Sequence, residues 1–258
     1  MGPDERMDNL IEPRPGPRQR GPWGPLATIG FSFAIAVAVV LTQLVAAIPY
    51  VLVRSMGRSR GTIRAVAMSL QTDGLFLALA EVCSAAVGVG LILLLAWLRK
   101  GPGIRNYLAL TKVSRSALLK WLLLTVVLGI VLDGAARLAG YTSIPEWMEA
   151  IYLSAGSLPL LVFALIVVAP IFEELSFRGF LFEGLRRSWL GDSGTILVTS
   201  LVWAAIHTQY QLVYVLQIFA LGLLLGAARL RTGSIVTPMA MHALFSAIAI
   251  VQVVVELG

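Results

Sequence analysis

The sequence predicts an all-α protein, a polytopic membrane helix bundle of about seven to eight transmembrane helices. Of its 258 residues, 58% are hydrophobic and only 13% are charged, whereas a soluble domain carries about 25% charged residues. Several apolar runs also reach the roughly 20 residues that a helix needs to cross a bilayer. Both observations indicate an integral membrane protein.

Seven apolar segments, taken in chain order, account for the predicted bundle. The fifth and sixth are separated only by the short polar stretch HTQYQ. A further segment at 143–156 contains Trp147 and Tyr152, which favour headgroup depth, and this segment predicts an interfacial helix. The predicted membrane helices lie near residues 26–53, 74–98, 117–139, 158–182, 195–210, 212–229 and 234–255.

Three regions follow from this segmentation. Residues 1–24 are polar and rich in Pro and Gly, with charges of both signs, which predicts a disordered cytoplasmic tail. Residues 25–142 hold the N-terminal transmembrane helices. Residues 143–258 form the C-terminal transmembrane region, and the residues with candidate chemistry fall within it.

The positive charges predict the orientation and exclude one class of partner. With the N-terminus inside, fourteen Lys and Arg lie on the cytoplasmic side and five on the other, with Arg178 inside the membrane. The positive-inside rule therefore favours a cytoplasmic N-terminus. The net charge of +6 is spread between apolar runs, so no nucleic acid partner is expected. Abundant Ala, Val, Leu and Arg with few Lys suggest a bacterial genome, and hence the inner membrane.

The stretch APIFEELSFRGFLFEGL places two glutamates and an arginine in an apolar run, where each ionisable group costs about 2.5–3.5 kcal/mol on insertion scales. Glu174 and Arg178 are spaced i, i+4 and can form an ion pair on one face of a helix. Glu173 points about 100° away on a helix of 3.6 residues per turn and has no local partner. The same stretch therefore holds one paired and one unpaired carboxylate.

The only two histidines, His207 and His242, both lie in later apolar segments. Trp203 stands one helical turn before His207, and Ser246 stands one turn after His242. The unpaired Glu173 and the two imidazoles are thus candidates for a single buried polar site formed by three helices. A desolvated carboxylate is a stronger base, and an imidazole can share its proton or donate to an oxyanion. This set of groups can activate water for attack on a carbonyl carbon.

At these residues the sequence resembles the CAAX protease and bacteriocin-processing (CPBP, or Abi) family of intramembrane endopeptidases. The family motif EExxxR is matched by EELSFR at 173–178, and FxxxH is matched by WAAIH at 203–207, with Trp203 in the aromatic place. The third motif, HxxxN, is matched at His242 with Ser246 where Asn is usual. The resemblance extends over about residues 158–249.

The resemblance implies a glutamate-dependent intramembrane protease that uses no cofactor. Glu173 is then the general base, assisted by His207, while His242 and Ser246 stabilise the oxyanion. Glu174 and Arg178 support the site through their ion pair, and residues 143–258 become the catalytic region. The implied partners are the lipid bilayer and a membrane-anchored protein or peptide substrate.

Three alternatives stay open at the level of the sequence. One Glu and two His can bind zinc, although the sequence has no HExxH motif. The GDSG stretch at 191–194 resembles the GxSG of rhomboid serine proteases, but Asp, Ser and Gly there also fit a turn and helix cap. A non-enzymatic membrane scaffold, transporter or immunity-type protein can use the same polar residues for assembly or proton relay.

Overall fold

The structure, a computed structural model, describes residues 21–57, 60–99, 101 and 103–257. Most of the predicted tail, residues 1–20, lies outside this range. Ten helices and no strand are found within the described residues. The helices are α1 (Pro25–Ser55), α2 (Arg60–Ser69), α3 (Gly74–Leu98), α4 (Gly103–Tyr107), α5 (Arg115–Leu138), α6 (Glu146–Leu153), α7 (Leu158–Leu185), α8 (Gly191–Ala205), α9 (Leu212–Thr232) and α10 (Val236–Leu257).

The predicted all-α membrane bundle is confirmed. In the part of the chain that the structure describes, six helices are long and apolar enough to cross a membrane: α1, α3, α5, α7, α9 and α10. The segment predicted at 195–210 is a helix of only 15 residues, α8, which is about 22 Å long at 1.5 Å per residue. It ends at Ala205 because residues 206–211 form turns and Gln211 is extended. His207 therefore lies just beyond a helix end.

Local sequence signals set several of the helix ends. The Asp73 side chain accepts a hydrogen bond from Phe76 N at the start of α3, and Ser114 accepts one from Ala117 N at the start of α5. These are N-caps of the favoured residue types. Gly233 ends α9 with φ of 64°, a conformation that costs glycine little.

Successive long helices, α8 among them, run in opposite directions, so that the bundle has two faces. We name the face where α1 begins the N-terminal face and the face where α10 ends the C-terminal face. The N-terminal face carries residues 21–24, 99, 101, 103–114, 186–190 and 233–235, where Ser234 Oγ donates to Thr111 O at 2.6 Å. The C-terminal face carries residues 56–57, 60–73, 139–157 and 206–211 together with the end of α10. There the Trp147 indole donates to Gln71 O at 2.8 Å.

Two short helices lie at the C-terminal face between the spans. The segment 143–156 contains a helix, α6, as predicted, while its place at the membrane interface stays a prediction. Helix α2 follows the end of α1. Helix α6 packs closely on the start of α3, since a Cβ at Gly74 would clash with Ile151 O. Glycine at this position lets the two backbones meet.

Helix α7, which carries the EExxxR motif, contains two wide π-helical turns. They span Ala164–Val168 and Leu175–Leu181 and flank the α-helical turns at Ala169–Glu174. Pro170 has no N–H to donate to the carbonyl four residues earlier, and the first wide turn lies there. Such turns are frequent at functional sites. The glutamates thus stand on a short regular segment between two irregular ones.

Candidate active site

Glu174 and Arg178 form the ion pair that their spacing predicts. Arg178 Nη1 lies 2.9 Å from Glu174 Oε1, and neither side chain is exposed. Arg178 Nη2 also donates to Gly222 O of α9 at 3.2 Å. Because a buried charge needs both an opposite charge and hydrogen bonds, this pair connects α7 to α9 at the level of the site.

His242 joins the same pair from α10. Its Nδ1 lies 3.0 Å from Glu174 Oε1, and the residue is 8% exposed. Helical spacing predicted an Arg178 contact for Glu174 and no contact between Glu174 and His242. The structure instead places the imidazole against Glu174, so that one carboxylate oxygen connects α7 and α10.

Trp203 of α8 lies at the centre of the cluster. Its indole N–H donates to Glu173 Oε2, and its ring centroid lies 5.4 Å from that of His207 and 5.1 Å from that of His242. The Arg178 guanidinium carbon lies 4.5 Å from the same ring, a cation–π arrangement. Trp203 therefore contacts Glu173, Arg178 and both histidines.

His207 is held in one orientation from two sides. Its Nδ1 lies 2.7 Å from Trp203 O, and since a carbonyl can only accept, Nδ1 carries the proton. Its ring stacks on Tyr210 with centroids 6.2 Å apart. Nε2 of the neutral ring is then left as an acceptor, which is the form a base requires.

Tyr210 contributes a neutral hydroxyl to this end of the site. Burial raises the pKa of the Tyr210 hydroxyl, and the nearby Glu173 carboxylate raises it further. The phenol therefore stays protonated at neutral pH and can donate a hydrogen bond. Its position in the polar break at 207–211 gave no signal that distinguished it from a loop residue.

These groups line one cavity of about 790 Å³, within the range of ligand pockets. Glu173, Trp203, His207, His242 and Ser246 all face it, while Glu174 and Arg178 lie behind its wall. The cavity extends from Ser143, Pro145 and Gln209 at the C-terminal face to the level of Glu173. The structure thus brings all five candidate catalytic and aromatic residues to one surface.

Ser246 and Ser193 have different positions relative to this cavity. Ser246 lines it one turn after His242, and within the described residues its hydroxyl makes no hydrogen bond. Ser193, of the GDSG stretch, is exposed at the start of α8 on the N-terminal face and is not among the lining residues. A serine nucleophile at Ser193 is therefore separated from His242 by most of the length of α8.

Among the described residues, no group of three or more His, Cys, Asp or Glu is placed to hold a metal ion.

Glu81, which sequence reasoning missed, is the single charged residue of α3 and lines the same cavity. The available signal was a lone carboxylate in a 25-residue apolar helix, because such a residue marks a functional site by default.

Comparison with known families gives a match in the C-terminal half of the chain. Residues 155–248 match the family model described as type II CAAX prenyl endopeptidase Rce1-like. Over 89 residues the chain is 35% identical to an uncharacterized 24.3 kDa protein of Escherichia coli, a match covering 32% of this chain and 39% of that protein. The match thus spans about two fifths of the relative's length. No solved structure matches the chain.

Proposed function

We propose that the chain is an intramembrane endopeptidase of the CAAX protease and bacteriocin-processing family, whose model matches residues 155–248, and that its Glu173 activates water. The observation that carries the proposal is the convergence of Glu173, His207 and His242 around Trp203 on one cavity wall. These three residues come from α7, from the turn after α8, and from α10.

The first step is attack by water on the peptide carbonyl. Glu173 takes a proton from the water, and His207 Nε2 accepts its second hydrogen bond and holds its orientation. The water oxygen bonds to the carbonyl carbon and the carbonyl oxygen becomes an oxyanion. Since His207 Nδ1 is committed to Trp203 O, Nε2 is the nitrogen that can face the water.

Stabilisation of the oxyanion falls to His242 and Ser246. With Nδ1 at Glu174, the Nε2–H of a protonated His242 can donate to the oxyanion, and Ser246 Oγ adds a second donor one turn along α10. Fixed donors aimed at a developing charge are worth about 10²- to 10³-fold in kcat each. The C–N bond then breaks, and the amine leaves with the proton that Glu173 took from water.

Glu174 and Arg178 act as positioning residues for this chemistry. Neither faces the cavity, but Glu174 binds His242 and Arg178 packs on Trp203. Their ion pair holds the oxyanion donor and the ring beside the base in fixed relation to each other. The two adjacent glutamates therefore have separate roles.

The substrate is a membrane-anchored protein or peptide, because the cavity lies among membrane-spanning helices. A bacterial inner membrane with the N-terminus in the cytoplasm is the proposed setting, where a prenylated CAAX protein is not the expected substrate. With that orientation the C-terminal face, from which the cavity extends, is extracytoplasmic.

The proposal is tested by cleavage in detergent of membrane-anchored candidate peptides from the same cell. Wild-type protein is compared with Glu173→Gln and with Glu149→Gln, an exposed acid on α6 outside the cavity. Each is assayed with and without a strong chelator and a serine-reactive phosphonate. We expect cleavage that survives both reagents and the Glu149 change but is lost in Glu173→Gln. Loss with chelator supports zinc instead, and cleavage by Glu173→Gln contradicts the proposal.

A further inference from the structure

Glu81 is a carboxylate inside a membrane-spanning helix that the proposed mechanism does not use. It is half-buried and faces the cavity from α3. Within the described residues its carboxylate makes no hydrogen bond or ion pair. An unpaired charge inside a membrane-spanning helix is costly, and a cation on a ligand in the cavity would remove that cost.

The packing of α3 on α7 places Glu81 nearer the C-terminal face than Glu173. The two helices run in the same direction: Ala78 clusters with Leu161 and Ala164, and Gly88 lies directly against the Phe172 ring. Between these two contacts, Glu81 lies level with about residues 164–167 of α7. At 1.5 Å per residue this is roughly 10 Å along the α7 axis from Glu173. An extended peptide covers that length in about three residues.

The acids of the cavity wall differ in their partners. The lining residues include Glu81, Asp133 and Glu173 but no Lys or Arg, although the chain carries a net charge of +6. Asp133 is paired with Arg137 at 3.0 Å, and Glu173 accepts from the Trp203 indole. Among the described residues, Glu81 is thus the acid of the wall that has neither an ion pair nor a hydrogen bond.

Neighbouring polar groups fix the turn that carries Glu81. Ser84 Oγ donates to Glu81 O at 3.4 Å, and Gln43 Nε2 of α1 donates to Ser84 Oγ at 3.3 Å. Gln43 also lines the cavity. These contacts connect α1 to the turn of α3 from which the carboxylate projects.

We propose that Glu81 forms a subsite that binds a lysine or arginine side chain of the substrate within about three residues of the bond that is cut. The inference rests on the proposed function for the position of that bond. It defines the substrate class as membrane-anchored peptides with a basic residue close to the cleavage site. Pairing with the substrate cation removes the cost of the isolated Glu81 charge and makes the subsite specific.

Binding tests the subsite without requiring cleavage. Full-length Glu173→Gln protein in a nonionic detergent is titrated with N-acylated, dansyl-labelled ten-residue peptides in which a single Lys is moved along a neutral sequence. Energy transfer from the tryptophans of the protein gives Kd, with unlabelled peptide as competitor. We expect one Lys position to tighten Kd about tenfold over Gln at that position.

The matched variants identify the group responsible. Adding Glu81→Gln should abolish the tenfold difference, and adding Glu81→Lys should transfer the preference to a Glu-containing peptide, while Glu149→Gln should leave it unchanged. Unfolding midpoints of the variants verify that each is folded. Lys and Gln peptides that bind equally or not at all overturn the subsite, as does a preference that survives Glu81→Gln.

Cleavage by wild-type protein separates this inference from the proposed function. A Lys preference in binding without Glu173-dependent cleavage keeps the subsite and rejects the protease. Glu173-dependent cleavage that ignores Lys and Arg near the cut keeps the protease and rejects the subsite. If Glu81→Gln abolishes cleavage of neutral and basic peptides alike, the subsite is also rejected, because Glu81 then acts in the chemistry or the fold.

Discussion

His242 Nδ1 lies 3.0 Å from Glu174 Oε1, the same oxygen that accepts Arg178 Nη1 at 2.9 Å. One carboxylate oxygen therefore connects the oxyanion donor of the proposed site with a fully buried arginine. The second oxygen of Glu174 is buried without a hydrogen-bond partner among the described residues. Among the described residues, all side-chain hydrogen bonds of Glu174 are therefore made by this one shared oxygen.

Replacement of Glu174 by Gln should lower the stability of the protein. The neutral amide leaves Arg178 buried without a counter-charge, and breaking a buried pair from one side costs about 3–5 kcal/mol. Unfolding in detergent by denaturant, followed by tryptophan emission, measures this. Glu149→Gln is the control with the same change of charge on an exposed residue. An unfolding free energy equal to that of wild type contradicts the role of Glu174 as the counter-charge of the buried Arg178.

Replacement of Trp203 by Phe should preserve the fold and slow the reaction. The phenyl ring keeps the contacts with Arg178 and the histidines, but Glu173 loses its indole donor. A hydrogen bond to a charged group is worth about 1.5–3 kcal/mol, so kcat should fall about 10- to 100-fold with little change in the unfolding midpoint. A kcat that stays at the wild-type value shows that the indole does not orient Glu173.

Ser246 should supply an oxyanion donor. Ser246→Ala removes the hydroxyl from the cavity wall, and we expect kcat to fall by about 10²-fold with KM nearly unchanged. Ser246→Asn restores an amide donor at the place where the family motif has Asn, and should recover most of the rate. If Ser246→Ala is fully active, His242 is the sole side chain assigned to the oxyanion.

The cavity should also depend on the contact between α3 and α6. Gly74→Ala drives a methyl group into Ile151 O, and overpacking of this kind costs about 1–3 kcal/mol. Gly90→Ala on the same helix is the matched control, because nothing lies within 4 Å of its Cβ. Unfolding free energies and cleavage rates are compared for both. Equal behaviour of the two variants contradicts the close α3–α6 contact.

The sequence allowed the bundle to be predicted because membrane spans are local features: length and hydropathy decide them, and the described residues contain six such helices. The Glu174–Arg178 pair followed from i, i+4 spacing in the same way. The contact of His242 with Glu174 did not, since it joins residues 68 apart and depends on how α10 packs on α7.

Two other features depended on tertiary packing. The end of α8 before His207 follows from the turns at 206–211. The apolar pattern instead predicted that this helix continues to about residue 210. Glu81 stood far from every motif along the chain, and only the packing of α3 on α7 brings it to the cavity. Its lone charge in an apolar helix was readable from the sequence, but its neighbours were not.

The most direct test of the division between the two glutamates is Glu173→Gln measured for kcat, peptide Kd and unfolding on one preparation. Among the described residues the Glu173 carboxylate makes one hydrogen bond, to Trp203, and it faces the cavity. Stability and binding should therefore stay close to wild type while kcat falls about 10²- to 10⁴-fold. Cleavage at the wild-type rate by a folded Glu173→Gln protein would contradict the assignment of Glu173 as the base.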